Sequence, residues 1–252
     1  MMAETGSRVL RKVWLRQFLL QGCWNYEGMQ NVGFAYCMLP ALRERYGESP
    51  EDLLRALKRH LEFFNTHPAM AGVILGASVR LEERVASGEI DPRTVGTFKV
   101  GLMGSLGAIG DSFFWGALKP MASVAGVILS LVHPLLGIGA LLLLYNLSHL
   151  AVRYRGFAAG ARGEESAVRY LRGASLATKT EDCKLLAAVM GGAYAGVLGS
   201  GTAWMVGGPA EAVGLFLVFA LLVHLFSIFL RKAVSPSELL LFLLIVGVLA
   251  LQ

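Results

Sequence analysis

Val9, Val13, Leu15, Phe18 and Leu19 are interleaved with Arg8, Arg11, Lys12 and Arg16. The spacing is helical and predicts an amphipathic helix over residues 8–20. It suits a helix lying on a membrane with its basic face toward anionic headgroups, and equally a solvated helix of a soluble domain. A second helix is predicted over 49–64. Ser49 can cap it, Pro50 fits its first position, and Glu51 and Asp52 meet the positive end of the dipole. Leu53, Leu57, Leu61 and Phe64 form its apolar stripe. Pro68 pushes the preceding residue out of the α region, so the helix should stop at Asn65-Thr66-His67.

Two apolar runs, Val32–Leu42 and Ala69–Val79, are too short to span a bilayer and suit the arms of re-entrant or broken helices. Arg80 to Asp91 reads as a charged surface stretch. Val100 to Leu118 then carries no basic residue and one acid, Asp111. As a helix these residues extend roughly 28 Å, about the thickness of a bilayer core. Gly101, Gly104, Gly107 and Gly110 recur every third residue. Together with the carboxylate they predict a packed, polar-cored membrane element. The alternative is a Gly-rich loop in which Asp111 caps a short helix, Ser112–Leu118.

Met121–Val152 is overlong for one crossing and is divided by His133-Pro134, as a kinked span or a hairpin. Residues 153–184 are basic, with Arg153, Arg155, Arg162, Arg169, Arg172, Lys179 and Lys184. Three further spans are predicted at 185–207, 212–230 and 239–251, with Gly192, Gly196 and Ser200 as a small-residue packing face. The positive-inside rule places the N-terminal helix, 153–184 and 231–238 in the cytoplasm, and the 207–211 turn and the C-terminus outside.

Composition agrees with this pattern. Of 252 residues 55% are hydrophobic and 16% charged, against about 25% charged in ordinary soluble domains. The mean hydropathy is +0.56. The expected fold class is an all-α integral membrane protein: several transmembrane helices, re-entrant or broken helices, and amphipathic surface helices. Two regions are expected, a core and scaffold over 1–184 and C-terminal transmembrane helices over 185–252. The net charge of +5 fits cytoplasmic basic flanks better than nucleic-acid binding. Cys23, Cys37 and Cys183 are too scattered for a metal or redox pair.

Phosphate loops, nucleophile elbows and paired metal-ligating histidines are missing from the sequence, so no catalytic residue, metal or cofactor is expected. Gln21, Asn25, Glu27, Gln30 and Asn31 crowd around Trp24 and Tyr26. Amides, an acid and flat aromatic faces could bind a sugar's hydroxyls and apolar ring faces. They could as well form a helix cap and turn with the aromatics in a core. Asn65, Thr66 and His67 sit at a helix break, where transporters place solutes and where local capping also occurs.

QGCWNYEGMQNVGFAYCMLPAL, then HLEFFNTHP with ILGASVRLEE, then KVGLMGSLGAIGDSFFWGALKP resemble the signature blocks of IID subunits of the mannose/fructose/sorbose-type sugar phosphotransferase systems. YRGFAAGARG continues the likeness. Ser105 stands where the family usually has proline, and the region between the last spans is shorter than in relatives. The resemblance implies a non-catalytic, multi-pass subunit of the bacterial inner membrane with an obligate IIC partner, assembled as a trimer of IIC–IID pairs. It implies that a hexose bound by IIC and IID is carried by an elevator-like motion. A histidine-phosphorylated IIB, charged by IIA, then phosphorylates it on the cytoplasmic side. The residues expected to line the sugar site are Gln21, Asn25, Glu27, Gln30, Asn31, Asn65, Thr66, His67 and Asp111, with Trp24 and Trp115 stacking or shaping it. A subunit that mainly docks IIC and IIB, the latter through the basic 153–184 stretch, is the alternative.

Overall fold

The computed structural model describes residues 5–202, with side chains described through Tyr194. The described residues are helical, and their only β-type pairings are isolated bridges. The helices are α1 (Ser7–Arg16), α2 (Asn31–Tyr46), α3 (Pro50–His60), α4 (Ala71–Ala86), α5 (Arg93–Gly110), α6 (Lys119–Ser130), α7 (Pro134–Ala161), α8 (Glu164–Ala174) and α9 (Leu176–Thr202). A 3₁₀ turn, Gln17–Leu19, extends α1, and a π-helical stretch, Asp111–Leu118, joins α5 to α6 without a break. The spans predicted at 212–230 and 239–251 lie outside the described residues, and Gly196 and Ser200 of the predicted packing face lie outside the described side chains.

Local chemistry explains several of these boundaries. The Ser49 hydroxyl accepts the Asp52 N–H at 3.4 Å and Pro50 opens α3. α3 ends at His60, before the predicted end at Phe64. Tertiary pairing diverts the chain: Phe64 exchanges backbone hydrogen bonds with Gly28 and Gln30, and its ring packs 4.4 Å from that of Phe34. His133 caps α7 by accepting the Leu135 N–H at 3.2 Å, and Pro134 takes the first helical position.

The His133-Pro134 interruption makes a hairpin of α6 and α7 rather than a kinked span. Gly126 and Gly137 face each other across it, and a Cβ on Gly126 would lie 3.0 Å from the Gly137 carbonyl oxygen. Ser105 lies exposed within continuous α5, and the Gly-rich segment is helix throughout, which excludes the loop alternative. The 93–130 helix and α7 are both long and apolar enough to cross a membrane. α7 exposes Leu135, Leu136, Leu142, Leu143 and Leu147 along its outer side. Water penalises such apolar area, and hydrocarbon does not.

The core is built on α4, whose residues Ala71 to Val79 are all buried. Its Gly72 and Gly76 press on the α7 backbone at Arg153, Phe157 and Ala161, and Gly160 of α7 presses on the α4 backbone in return. A Cβ on Gly76 would stand 2.6 Å from the Ala161 nitrogen, and one on Gly160 2.7 Å from that of Ala77. This is a small-xxx-small crossing, in which missing side chains let two backbones touch.

Arg80–Asp91 departs from the surface stretch expected of it, because α4 continues through Ala86 and carries Glu82 into the interior. Glu82 is fully buried. It accepts from Arg59 Nε and Nη2, both at 2.7 Å, from His60 Nε2 at 2.9 Å and from the Tyr46 hydroxyl at 2.8 Å. Burial by itself would raise this carboxyl; the bonds from Arg59 and His60 overcome it and hold the group down at about 2. Burial also keeps the His60 imidazole below its ordinary value, against the attraction of Glu82. Lys99 of α5, also buried, donates to the Arg59 carbonyl at 2.9 Å and sits 4.9 Å from the Phe34 ring centroid. Four helices, α2 to α5, are thereby fastened around one carboxylate.

Candidate functional site

Between α3 and α4 the chain runs Leu61–Met70 without regular structure, and the loop Leu20–Gln30 packs beside it. Two amides predicted for the site, Gln30 and Asn31, hold these two segments together, and a third, Asn25, shapes the loop. Gln30, buried, donates to the Thr66 carbonyl at 2.8 Å and accepts the Thr66 N–H at 3.2 Å. Asn31 donates to the Leu61 carbonyl at 2.7 Å, and its Oδ1 accepts from Asn25 at 3.1 Å and from the Val32 N–H at 2.8 Å. Asn25 Oδ1 accepts the N–H groups of Glu27 and Gly28 at 3.1 and 2.7 Å, a local turn. Met29 completes it in the left-handed region at φ 56.

His67 is then presented against the π-helical stretch. A Cβ on Gly110 would lie 2.6 Å from His67 Cγ, so only glycine admits the imidazole there. The π turns bring two consecutive aromatics onto one ring: Phe114 stacks on His67 at 4.7 Å and 6°, and Trp115 meets it edge-on at 5.1 Å and 67°. Widened helical turns of this kind recur at functional sites.

Here a cavity of about 300 Å³ opens, walled by Phe18, Gln21, His67, Pro68, Trp115, Tyr145, His149 and Arg153. That volume is at the lower end of ligand pockets, roughly 300–1,000 Å³. Gln21, His67 and Trp115 are the sequence-predicted residues brought together in it. Thr66 is buried next to His67 with its hydroxyl unpartnered. Trp24 lies elsewhere, half exposed and edge-on to Tyr26 at 4.8 Å. Glu27, Asn65 and Asp111 are exposed and do not line the cavity.

Tyr145, His149 and Arg153, which complete the wall, were not among the expected site residues. Their signal was present: polar side chains four residues apart inside an apolar run share one helix face. Tyr145 and His149 stack at 5.9 Å and 15°. Arg153, counted by sequence with the cytoplasmic basic residues, is buried instead. Its Nη2 donates to the Pro68 carbonyl at 2.9 Å and its Nη1 approaches the Gln17 carbonyl at 3.5 Å. The other six basic residues of that stretch are exposed. Among the described residues no three His, Cys, Asp or Glu side chains converge as metal ligands would.

The family model described as the PTS system mannose/fructose/sorbose family IID component matches residues 6–251. The chain is 42% identical over 185 residues to the mannose-specific EIID component of Escherichia coli K12, covering 73% of this chain and 65% of that protein. It is 36% identical over 178 residues to the sorbose-specific EIID component of Klebsiella pneumoniae, covering 70% of this chain and 65% of that one. The alignments thus span slightly less than two thirds of these relatives. Among solved structures, a chain of the mannose transporter ManYZ in complex with microcin E492 superposes with a TM-score of 0.62 at 33% identity, covering 98% of this chain and 96% of that one. The helical fold, the apolar spans and these matches agree that the chain is an all-α membrane protein belonging to the IID component family of the mannose/fructose/sorbose phosphotransferase systems.

Proposed function

We propose that this chain pairs with a IIC subunit to form the sugar-binding and translocation unit of a permease for a mannose-like hexose. The sugar is phosphorylated on the cytoplasmic side by IIB, which IIA recharges, and this subunit transfers no phosphate itself. The complex sits in the bacterial inner membrane, with IID multi-pass and the IIC–IID pairs assembled as a trimer. Residues 1–184 serve as core and scaffold, and 185–252 as C-terminal transmembrane helices. One observation carries the reading. Gln21, His67 and Trp115 come from three separate sequence blocks that resemble the family's signatures, yet they wall a single cavity with aromatic faces and hydrogen-bonding groups. Relatives named as mannose-specific and sorbose-specific components support the substrate class.

Asn65 and Asp111 are exposed polar groups beside apolar helices, where a IIC subunit would meet them. The test is uptake of labelled mannose, fructose, sorbose and amino sugars by cells co-expressing the chain with its IIC, IIB and IIA. Trp115→Ala, Asn65→Ala and Asp111→Ala should each lower uptake roughly tenfold, equivalent to about 1.4 kcal/mol, while IIC still co-purifies. Wild-type uptake in a variant removes that residue from the site, and wild-type uptake in all three refutes the site.

A second reading, a mainly structural subunit that docks IIC and IIB, is favoured by the engagement of Asn25, Gln30 and Asn31 in internal bonds. The exposed Arg155, Arg162, Arg169, Arg172, Lys179 and Lys184 offer cationic groups for IIB.

A further inference from the structure

The cavity wall is rich in donors and contains no carboxylate. His67 Nδ1 accepts the Ala69 N–H at 3.2 Å, so the neutral ring carries its proton on Nε2, which has no partner. Arg153 is 4% exposed and has no carboxylate within ion-pairing distance among the described residues. Its guanidinium lies 4.7 Å from the Phe18 ring centroid, and its Nε is unpartnered. The Gln21 amide, the Trp115 indole, the Tyr145 hydroxyl and the His149 ring complete the wall, and each can donate a hydrogen bond.

Two arguments converge on the missing group. A guanidinium buried in a spanning helix is costly; the Pro68 and Gln17 carbonyls take up two of its N–H groups but leave its charge without a counter-ion among the described residues. Gln21, Tyr145 and His149 can donate to or accept from a sugar's hydroxyls, whereas Arg153 and the His67 Nε2–H only donate, and a phosphate's oxygens chiefly accept. Arginine's fork also suits phosphate better than a single hydroxyl.

We propose that the cavity is a phosphate subsite, holding a phosphate ester on Arg153 and on the Nε2–H of His67, with Gln21 at its mouth. The inference rests on the proposed function, in which the ester is the phosphoryl group of the hexose phosphate product. The headgroup phosphate of a bilayer lipid has the same chemistry and is the other source.

The test uses the full chain co-purified with its IIC in detergent and titrated with inorganic phosphate, mannose 6-phosphate and mannose. A parallel preparation in nanodiscs, with and without phosphatidylglycerol, is read for retained lipid by native mass spectrometry. Mannose 6-phosphate and phosphate should compete for one site. Gln21→Glu should weaken both at least tenfold without changing IIC co-purification or melting temperature, since Gln21 is exposed and its side chain makes no internal bond. Arg153→Lys should weaken them as well. Retention of phosphatidylglycerol that both variants abolish, with no affinity for free phosphate or the sugar ester, supports the same subsite with lipid as its source. Binding unaffected by either variant, or no binding of any phosphate, overturns the inference. If mannose still binds in that case, the sugar reading stands alone; if it does not, both fall.

Discussion

Glu82→Gln isolates the contribution of the buried carboxylate to this fold. The side chain keeps its size but loses its charge, and one oxygen is replaced by an NH₂ group facing donors. Arg59, whose side chain is 15% exposed, would then be a nearly buried cation without a counter-charge. His60 and Tyr46 would compete for the remaining acceptor. Removing one partner of a buried ion pair costs about 3–5 kcal/mol. For a unit of roughly 200 residues, in which 1 kcal/mol moves the melting temperature by about 2–4 °C, the expected drop is roughly 6–20 °C. Thermal unfolding of the detergent-purified chain, followed by size-exclusion fluorescence, reads this directly. Acid should weaken the wild type through the same groups. His60 is held below its ordinary 6.5 and Glu82 below its ordinary 4.5, at about 2. In both cases the unfolded chain binds the proton first, so stability is present above these ordinary values. It is lost as pH falls, beginning below 6.5 for His60 and continuing from 4.5 toward 2 for Glu82. A Glu82→Gln drop below about 2 °C, or a wild-type melting temperature unchanged between pH 7 and 4, would refute the clamp.

Gly76→Val should lower the melting temperature by several degrees and reduce the yield of folded protein, because its Cβ meets the α7 backbone at Ala161. Overpacking of this kind costs about 1–3 kcal/mol or more. Gly139→Ala, where a Cβ meets nothing within 4 Å, should be neutral or stabilise by about 0.5–1 kcal/mol; equal losses in both variants would contradict the α4–α7 crossing. Reversing Arg155, Arg162, Arg169 and Arg172 to glutamate should weaken IIB binding to the membrane complex, most strongly at low salt, and leave hexose binding intact. Unchanged IIB affinity, measured by biolayer interferometry, would remove these residues from docking.

Short-range chemistry was legible without coordinates. Ser49-Pro50 marks a helix start, His133-Pro134 marks an interruption, and the ordered blocks around Gln21, His67 and Trp115 identify the family. Such features depend on neighbours within a turn or two of the chain. The amides were legible only as polar groups in need of partners. Cap and turn or sugar contact fitted them equally, and the folded chain engages Asn25, Gln30 and Asn31 with backbone groups at Gly28, Thr66 and Leu61.

Side chains whose partners lie far along the chain were not legible. Glu82 reads as a surface acid until Arg59 and His60, more than twenty residues earlier, close around it. Arg153 reads as a cytoplasmic charge until the carbonyls of Gln17 and Pro68, 136 and 85 residues away, draw it inside. The sequence by itself determined where α3 begins, where the 121–152 run is interrupted and to which family the chain belongs, because capping and proline geometry act locally. Only the tertiary structure decided which charges are buried and which polar groups share a cavity. Burial and electrostatic partnership depend on packing between distant segments, and residue type alone does not specify that packing.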